Sequence, residues 1–226
     1  MVNIKVLDKG SVELMSNTSD GDLLVVNAAR CSFDKAHEIF ENDKDAKLIN
    51  YLAKHKHLLP FRHPSATFRI VAPLFVLRQL GKHQVGFSWS EVSRRYIKLE
   101  PQFYYPNNKT GWRKAAANVK QGSSGNLAEI EGTAASIRQL YANTECLRKY
   151  DELLDLGVCA EQARMVLPQS MYTTTVTTGT LLGWHHMFTQ RTDPHTQLET
   201  QEYAKAIGKI MEELFPVSWE ALCQHS

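Results

Sequence analysis

Apolar residues recur along the chain at two spacings, every second residue in some stretches and every third or fourth residue in others. Val2 to Met15 alternates around Asp8-Lys9-Gly10, which predicts a small β-hairpin. Thr67 to Ala72 fits a second strand. Met171 to Thr178 is dense in threonine and valine, which favour extended backbone. These stretches supply the strands of the predicted fold.

Helical spacing marks the segments between and after these strands. Carboxylates before first turns, prolines in first turns and glycines after last turns set the expected helix ends. The predicted helices are one capped by Asp43 and Asp45, Pro73 to Leu80, Leu127 to Leu156, Ala160 to Val166, Leu181 to Gln190, and a last long one that Asp193 caps and Pro194 begins. Strands and helices do not alternate regularly, so we predict an α+β fold in which long helices flank a mixed or antiparallel sheet. We expect residues 1–226 to form a single domain.

Two polar stretches show neither spacing. Val85 to Tyr96 is rich in serine and arginine, and we interpret it as a binding loop. Asn107 to Gly125 contains a Gln-Gly-Ser-Ser-Gly tract and is predicted to be a mobile excursion from the fold.

Composition narrows the function by exclusion. The chain has 226 residues and a formal net charge of +2. A bulk nucleic-acid binder would usually carry a strong basic excess, so we expect no nucleic-acid partner. An apolar signal-peptide core and a run long enough to cross a membrane are both absent from the sequence, so we expect no membrane partner either. The four cysteines are scattered without a Cys-x-x-Cys pair, which predicts reduced thiols in a cytoplasmic protein.

One basic segment has the residue types of an anion site. Arginine offers a planar fork to phosphate oxygens, while hydroxyls and loop amides supply further donors. The residues in question are Lys82, Arg94 and Arg95 with Ser88, Ser90 and Ser93. A solvated surface loop that happens to be basic fits the same composition, and composition alone leaves both readings open.

Two histidine groups raise the question of a metal site. His55, His57 and His63 form one group, and His185 with His186 forms the other. Carboxylate or cysteine ligands do not occur at ligand spacing with either group, so solvated or packed histidines are favoured over a metal. The sequence also lacks a nucleophile elbow, a Walker loop and a Gly-x-Gly-x-x-Gly fingerprint. A dinucleotide cofactor would therefore bind here in a non-Rossmann manner.

Four motifs occur in an order that is typical of one enzyme family. They are Lys82-His83-Gln84 followed by eight residues and Ser93-Arg94-Arg95-Tyr96, His57 with Pro60-Phe61-Arg62-His63, Arg164-Met165-Val166-Leu167-Pro168, and Arg191 with His195, Gln197 and Glu199. Together they resemble the flavin-dependent thymidylate synthases. The resemblance covers nearly the whole chain and leaves only 107–126 without a counterpart.

The resemblance implies a reaction and its cofactors. These enzymes methylate dUMP to dTMP with 5,10-methylenetetrahydrofolate as carbon donor, NADPH as reductant and FAD as hydride carrier. They are homotetramers whose active sites are shared between subunits. Two alternatives stay open: a related enzyme that leaves a hydroxymethyl group on the pyrimidine, and a homologue that binds nucleotide or FAD but has lost catalysis.

The resemblance also implies roles for individual residues. Arg191 matches the arginine that activates the uracil ring. The dUMP-binding positions are Gln79, Lys82, Glu91, Ser93, Arg94, Arg95, Arg164 and Arg191. The FAD-binding positions are His57, Leu59, Lys82, His83, Gln84, Glu91, Thr180 and His186. The chain departs from the family at Lys82 and Gln84, which replace arginines, at Leu59, which replaces a serine or threonine, and by one extra residue before Ser93.

Overall fold

A computed structural model of the protein describes residues 2–93, 100–106, 111–117 and 122–226. The strands in these ranges are β1 (Asn3–Val6), β2 (Gly10–Asn17), β3 (Ser65–Pro73), β4 (Phe87–Glu91), β5 (Arg113–Ala115), β6 (Ser123–Asn126) and β7 (Tyr172–Thr180). The helices are α1 (Gly21–Arg30), α2 (Asn42–Lys54), α3 (Leu74–Leu80), α4 (Glu129–Asp155), α5 (Ala160–Ala163), α6 (Leu181–Arg191), α7 (Leu198–Leu214) and α8 (Pro216–Gln224). The predicted α+β class is confirmed.

Five strands form one antiparallel sheet in the order β1-β2-β3-β7-β4. The first hairpin turns where it was predicted, with Val6 paired to Gly10. Of the two expected arrangements, mixed or antiparallel, the antiparallel one is observed. Adjacent antiparallel strands place opposite residues on the same face, so the helices can cover one face of the whole sheet.

The buried face of this sheet is set by the alternation along β3. Ala66, Phe68, Ile70 and Ala72 are all buried on that face. Trp184 of α6 packs edge-on against Phe68, with 5.0 Å between ring centroids, and its indole N–H donates to the carbonyl of Ala66 at 3.0 Å. The sheet and the helices that cover it therefore share one core.

Helix α6 begins without a linker at the end of β7. Thr180 is the last residue of β7 and also the N-cap of α6, where its hydroxyl accepts a hydrogen bond from the Gly183 N–H at 3.1 Å. Such a cap satisfies one of the free N–H groups of a first turn. Arg191 is the last residue of the same helix.

The interpretation of Val85 to Tyr96 as a loop is wrong for its central part. Phe87–Glu91 is the edge strand β4, and Phe87 packs edge-on against Trp184 at 4.7 Å between ring centroids. The alternation Phe-Ser-Trp-Ser is only four residues long, and the serines made it resemble a loop. Residues 94–96 of this stretch lie outside the described ranges.

The stretch predicted to be a mobile excursion contains a second, two-stranded sheet. Strands β5 and β6 pair antiparallel between Arg113 and Asn126. The Trp112 indole N–H donates to the Ser136 hydroxyl on α4 at 2.9 Å, and the Leu127 N–H donates to the Trp112 carbonyl at 2.7 Å. The hairpin is thus fixed at its base. Residues 107–110 and 118–121 of the stretch are outside the described ranges.

The predicted ends of two helices are wrong. The last long helix begins at Leu198, not at Pro194, because the Asp193 carboxylate accepts the His195 N–H at 2.7 Å within a tight turn before the helix. That helix ends at Leu214, and α8 follows separately. The helix that we expected Asp43 and Asp45 to cap begins earlier, at Asn42, and both aspartates lie in its first turn.

Helix α4 lies where it was predicted. Tyr150 in its second half is buried in an apolar cluster, with Leu147 and Leu153 packed against it, but the apolar stripe of its first half is not buried by this chain. The side chains of that stripe are Ile130, Ile137, Leu140 and Tyr141, which are between 49% and 83% exposed. We call these four residues the α4 stripe. Within the described ranges, no helix is both long and apolar enough to cross a membrane.

Gly10 is expected to tolerate no side chain. A Cβ at this position would lie 1.8 Å from the Tyr203 hydroxyl, which donates to the Val71 carbonyl, and 2.8 Å from two backbone carbonyls. Gly10→Ala should therefore lower the free energy of unfolding by about 1–3 kcal/mol, as overpacking does. Urea denaturation measures this difference.

Gly132 in α4 provides the matched control. A Cβ there would meet no atom within 4 Å. Gly132→Ala should raise the free energy of unfolding by about 0.5–1 kcal/mol through helix propensity. Equal effects of the two substitutions would contradict the steric argument at Gly10.

Candidate active site

A polar cleft of about 1250 Å³ opens between the last turns of α3 and α6, the turn before α7, and strand β6. The side chains that line it include Gln79, Arg113, Gln190, Arg191 and Gln197. Ligand sites commonly occupy 300–1,000 Å³, so this cleft has room for more than one small molecule. Its side chains combine cationic and amide groups.

Arg191 is held in this cleft by His83. The Arg191 Nε–H donates to Nε2 of His83 at 3.0 Å. His83 is itself fixed, because its N–H donates to the Leu80 carbonyl at 3.1 Å and its carbonyl accepts the Trp89 indole N–H at 3.2 Å. Residues from α3, β4 and α6 therefore fix the direction in which the guanidinium points.

The charges of this pair are unequal. Burial, followed by the charge of Arg191 and the proximity of His186, lowers the pKa of His83 to about 4. The imidazole is consequently neutral near pH 7 and can accept the Arg191 hydrogen bond. Burial also lowers the pKa of Arg191 from its ordinary value. The pair keeps a net positive charge, which would stabilise negative charge that develops on a bound ligand.

Gln79, one of the predicted dUMP residues, lies on the same cleft. Its side-chain N–H donates to Oε1 of Gln197 at 2.7 Å. An amide carries both donors and an acceptor, which suits the mixed polar edge of a nucleobase or sugar. The structure thus brings together Gln79, His83 and Arg191, which are 112 positions apart at most (191 minus 79).

Four further predicted FAD residues lie on the turn after α3 or on the part of the chain where α6 begins: Lys82, Gln84, Thr180 and His186. Gly86 has a φ of +80°, and a Cβ there would lie 2.6 Å from the Thr180 hydroxyl, so the turn lies close against the start of α6. The Gln84 amide donates to the Gly81 carbonyl of the same turn. Burial and the charge of Arg62 lower the pKa of His186. These hydroxyl, amide and neutral imidazole groups fit the polar edge of a flavin ring. Lys82 is exposed on this turn.

His57 and Leu59 lie on the segment between α2 and β3. The His57 ring stacks on Tyr51 of α2 with 6.2 Å between centroids, and its N–H donates to the Leu52 carbonyl at 2.9 Å. Leu59 is 68% exposed. The observed contacts of His57 are thus with α2, and Leu59 is available to a ligand or to another chain.

A second group of predicted dUMP residues lies beyond the far end of β4. The Arg164 guanidinium donates to the Ser93 hydroxyl at 3.5 Å, and Glu91 pairs with Thr175 at the end of the strand. Ser93 is six residues beyond Phe87, which corresponds to about 20 Å of extended chain. Arg94 and Arg95 lie outside the described ranges.

Sequence reasoning missed a buried ion pair beside the cleft. Arg113 of β5 donates to both carboxylate oxygens of Glu199, at 3.0 and 2.8 Å, and the Tyr104 hydroxyl donates to the same carboxylate at 3.2 Å. Glu199 belongs to the motif that begins at Arg191, so the sequence did mark it as a candidate functional residue. Arg113 lies in a polar stretch and carried none.

His185 is packed inside the protein and is not among the residues that line the cleft described above. It is buried, its Nε2 lies 3.0 Å from the Ser226 hydroxyl, and burial, followed by His186 and Lys56, lowers its pKa to about 4. Over the described ranges, no three His, Cys, Asp or Glu side chains are grouped so that they could hold a metal ion.

Comparison with known proteins points to one family. The family model described as thymidylate synthase complementing protein matches residues 13–217. The flavin-dependent thymidylate synthase of Thermus thermophilus is 38% identical over 224 residues, which cover 99% of this chain and 79% of that protein. The enzyme of the same name from Thermosipho melanesiensis is 38% identical over 97% of this chain and 93% of its own length.

A solved structure agrees with these relatives. The UMP/dUMP methylase PolB from Streptomyces cacaoi, crystallised with 5-Br dUMP, superposes with a TM-score of 0.85. It is 30% identical in sequence, and the match covers 98% of this chain and 97% of that one.

The geometry predicts how His83 titrates. The folded-state pKa of about 4 lies below the ordinary 6.5, so this site weakens folding as the pH falls from 6.5 to 4. Arg191→Gln removes the neighbouring charge and should raise the His83 pKa, although burial should keep it below 6.5. NMR titration of the imidazole ring measures both values. Lys82→Gln removes an exposed cation from the same turn and should leave the His83 pKa unchanged. An unchanged value in Arg191→Gln would show that the two side chains do not interact.

Proposed function

This chain belongs to the thymidylate synthase complementing protein family, and from that membership we propose that it methylates dUMP at C5 of the uracil ring. The proposed carbon donor is 5,10-methylenetetrahydrofolate, the reductant is NADPH, and FAD is the hydride carrier. The observation that carries the proposal is the Arg191 guanidinium fixed by neutral His83 in the cleft that also holds Gln79.

Arg191 is the proposed catalytic residue. Uracil C5 is a weak nucleophile until negative charge builds on the ring, and a fixed cation beside the ring carbonyls favours the charged form. A carboxylate partner would hold Arg191 equally well but would cancel its charge. Because His83 is neutral, it orients the guanidinium and leaves the positive charge for the substrate.

The phosphate end of dUMP is assigned to the second group of residues. Arg164 and Ser93 lie together and supply a charged fork and a hydroxyl, which suit a small dianion. Lys82, Glu91, Arg94 and Arg95 complete the proposed dUMP set. This group lies beyond β4, far along the strand from Phe87, so a nucleotide bound to both groups would draw on more than one part of the assembly.

We therefore propose a homotetramer with shared active sites. The position of Arg164 and Ser93 beyond the end of β4 supports sharing. The α4 stripe supports association, because exposed apolar side chains at helical spacing favour burial against a partner. Residues 1–226 are proposed to act as one domain. A cytoplasmic location is supported by free thiols at Cys31, Cys146, Cys159 and Cys223.

The flavin is assigned to the turn after α3 and the start of α6, in a site without a Rossmann fingerprint. The residues proposed to hold it are His57, Leu59, Lys82, His83, Gln84, Glu91, Thr180 and His186. Bound FAD would supply the hydride that completes the methyl group. His83 then serves both the flavin and Arg191, because its ring accepts the Arg191 hydrogen bond while its backbone belongs to the turn after α3.

The product distinguishes this proposal from its alternatives. Purified protein should show the absorption of oxidised flavin, and incubation with dUMP and the co-substrates should yield a product heavier by one methyl group. A hydroxymethyl product would support the alternative reaction. Flavin and dUMP binding without turnover would support a homologue that has lost catalysis. UMP should be assayed beside dUMP, since PolB is described as acting on both.

Arg191→Ala should reduce turnover at saturating dUMP by about a hundredfold or more, as the loss of one preorganised donor does. Arg148→Ala removes an exposed arginine of α4 and is the control for loss of one positive charge. Steady-state assays of thymidylate formation measure both. Wild-type turnover in Arg191→Ala would refute the catalytic assignment.

Arg164→Ala should weaken dUMP binding by about ten- to a hundredfold, the range for one hydrogen bond to a charged group. Flavin content should be unchanged, because Arg164 is not in the proposed flavin set. Calorimetric titration with dUMP and the absorption ratio of flavin to protein measure the two effects. Arg148→Ala again serves as the control. An unaltered dUMP affinity would remove Arg164 from the phosphate site.

A further inference from the structure

The β5–β6 hairpin forms one wall of the proposed nucleotide cleft. Ser123, Gly125 and Asn126 of β6 line the same cleft as Arg191 and Gln197. A second cavity of about 500 Å³ lies against Arg113, Lys114 and Ala115 of the same hairpin. The described residues of both strands thus border open space, while the base of the hairpin is held by the Trp112 contacts to Ser136 and Leu127.

One ion pair joins this hairpin to the covering helices. Arg113 is the first residue of β5, and its guanidinium meets Glu199 in the first turn of α7 through two hydrogen bonds of 3.0 and 2.8 Å. The Glu199 side chain is 4% exposed and that of Arg113 is 19% exposed. Bidentate pairing in such a protected position is geometrically specific and is little screened by salt.

The ionised state of the pair is secure. Burial alone would raise the pKa of the Glu199 carboxyl. The hydrogen bond and charge of Arg113, with hydrogen bonds from the Glu199 backbone and the Gln197 side chain, outweigh burial and lower this pKa below its ordinary value. The hydrogen bond to Glu199 likewise raises the pKa of Arg113. The contact therefore persists across the neutral pH range.

The same turn of α7 reaches the substrate side of the cleft. Gln197 is the N-cap of α7, two residues before Glu199, and its Oε1 accepts the hydrogen bond from Gln79 at 2.7 Å. The Gln197 carbonyl accepts the N–H groups of Thr200 and Gln201, so Gln197 and Glu199 belong to the same first turn of α7. The position of Glu199 is thus coupled through Gln197 to Gln79, which is in the proposed dUMP set.

We propose that the Arg113–Glu199 ion pair is a latch that seats the β5–β6 hairpin as the wall of the nucleotide cleft and sets the position of Gln79 through Gln197. Arg113 and Glu199 are positioning residues in this proposal, which rests on the proposed function. Arg113 lies outside the four sequence motifs on which the family resemblance rests. The latch therefore deepens the proposed function with a residue that the family motifs do not contain.

The test separates the latch from a general contribution to folding. Arg113→Met alone leaves a buried carboxylate without its cation, which is strongly destabilising. The double variant Arg113→Met/Glu199→Gln removes both charges, so thermal stability should return close to that of the wild type. The contact between the hairpin and α7 is still lost in the double variant, because methionine at position 113 cannot donate a hydrogen bond to residue 199. The KM of this variant for dUMP should rise about tenfold while kcat changes less than about twofold, the pattern for lost ligand binding.

Lys114→Met is the matched control, because Lys114 is an exposed cation in the neighbouring position of the same strand. Its KM for dUMP should equal that of the wild type. If the double variant recovers both stability and the wild-type KM, the ion pair is only structural and the latch is refuted.

A readout without turnover separates this proposal from the proposed function. Amide hydrogen exchange in 111–117 and 122–127 should accelerate in the double variant, while exchange in β3 and β7 stays at the wild-type rate. This holds whichever substrate the enzyme uses. Exchange in the hairpin at the wild-type rate in the double variant would overturn the latch even if dUMP proves to be the substrate. If the wild type neither binds nor converts dUMP, the function fails and the exchange result alone decides on the latch.

Discussion

The pairing of β3 with β7 is the constraint on which the rest of the molecule depends. Nine residues of each strand pair in unbroken antiparallel register, from Ser65 with Thr180 to Pro73 with Tyr172. The two strands are about a hundred residues apart in the sequence, so pairing them costs loop-closure entropy. Burial of the core that packs on the sheet offsets this cost. Once the pairing exists, α3 leaves one end of the pair and α6 leaves the other. Their last turns then meet at the cleft, where His83 accepts the Arg191 hydrogen bond.

The two arginines beside the cleft are held by opposite means. Arg113 meets a carboxylate, so the pair is neutral overall and acts by geometry. Arg191 meets a neutral imidazole, so it keeps its charge and can act on a ligand. The difference follows from the partner's chemistry, since a carboxylate is ionised at neutral pH whereas a buried histidine beside a cation is not. One arginine is thereby suited to fastening and the other to electrostatic stabilisation.

Much of this architecture could be predicted from local pattern, and the remainder depends on distant contacts. The first hairpin, β3, β7 and α6 follow from alternation, glycine and helical spacing, which are local properties. Strand β4 was missed because two serines within five residues outweigh Phe87 and Trp89 in a reading by composition. The start of the last long helix was misplaced because an aspartate before a proline resembles a cap, whereas Asp193 bonds within its own turn.

The site divides in the same way. Arg191, Gln79 and His83 were identified through the family motifs, but their mutual contacts were not, because His83 and Arg191 are 108 residues apart. Arg113 was missed for the same reason, since its partner is 86 residues away. The burial of the α4 stripe could not be judged from one chain at all. Helical spacing shows that a stripe exists, but it does not show which surface covers it.

Because Thr180 is both the last residue of β7 and the N-cap of α6, the start of α6 is fixed to the sheet. The eleven residues of this helix span about 16 Å from its start to Arg191. A tilt of one degree at the base moves the tip by about 0.3 Å, and a catalytic group tolerates an error of only about 0.5 Å. A tilt of two degrees at the start of α6 would therefore be enough to move the guanidinium out of its catalytic position. Because β7 continues directly into α6 and His83 accepts a hydrogen bond from Arg191, the helix is held at its first and its last residue.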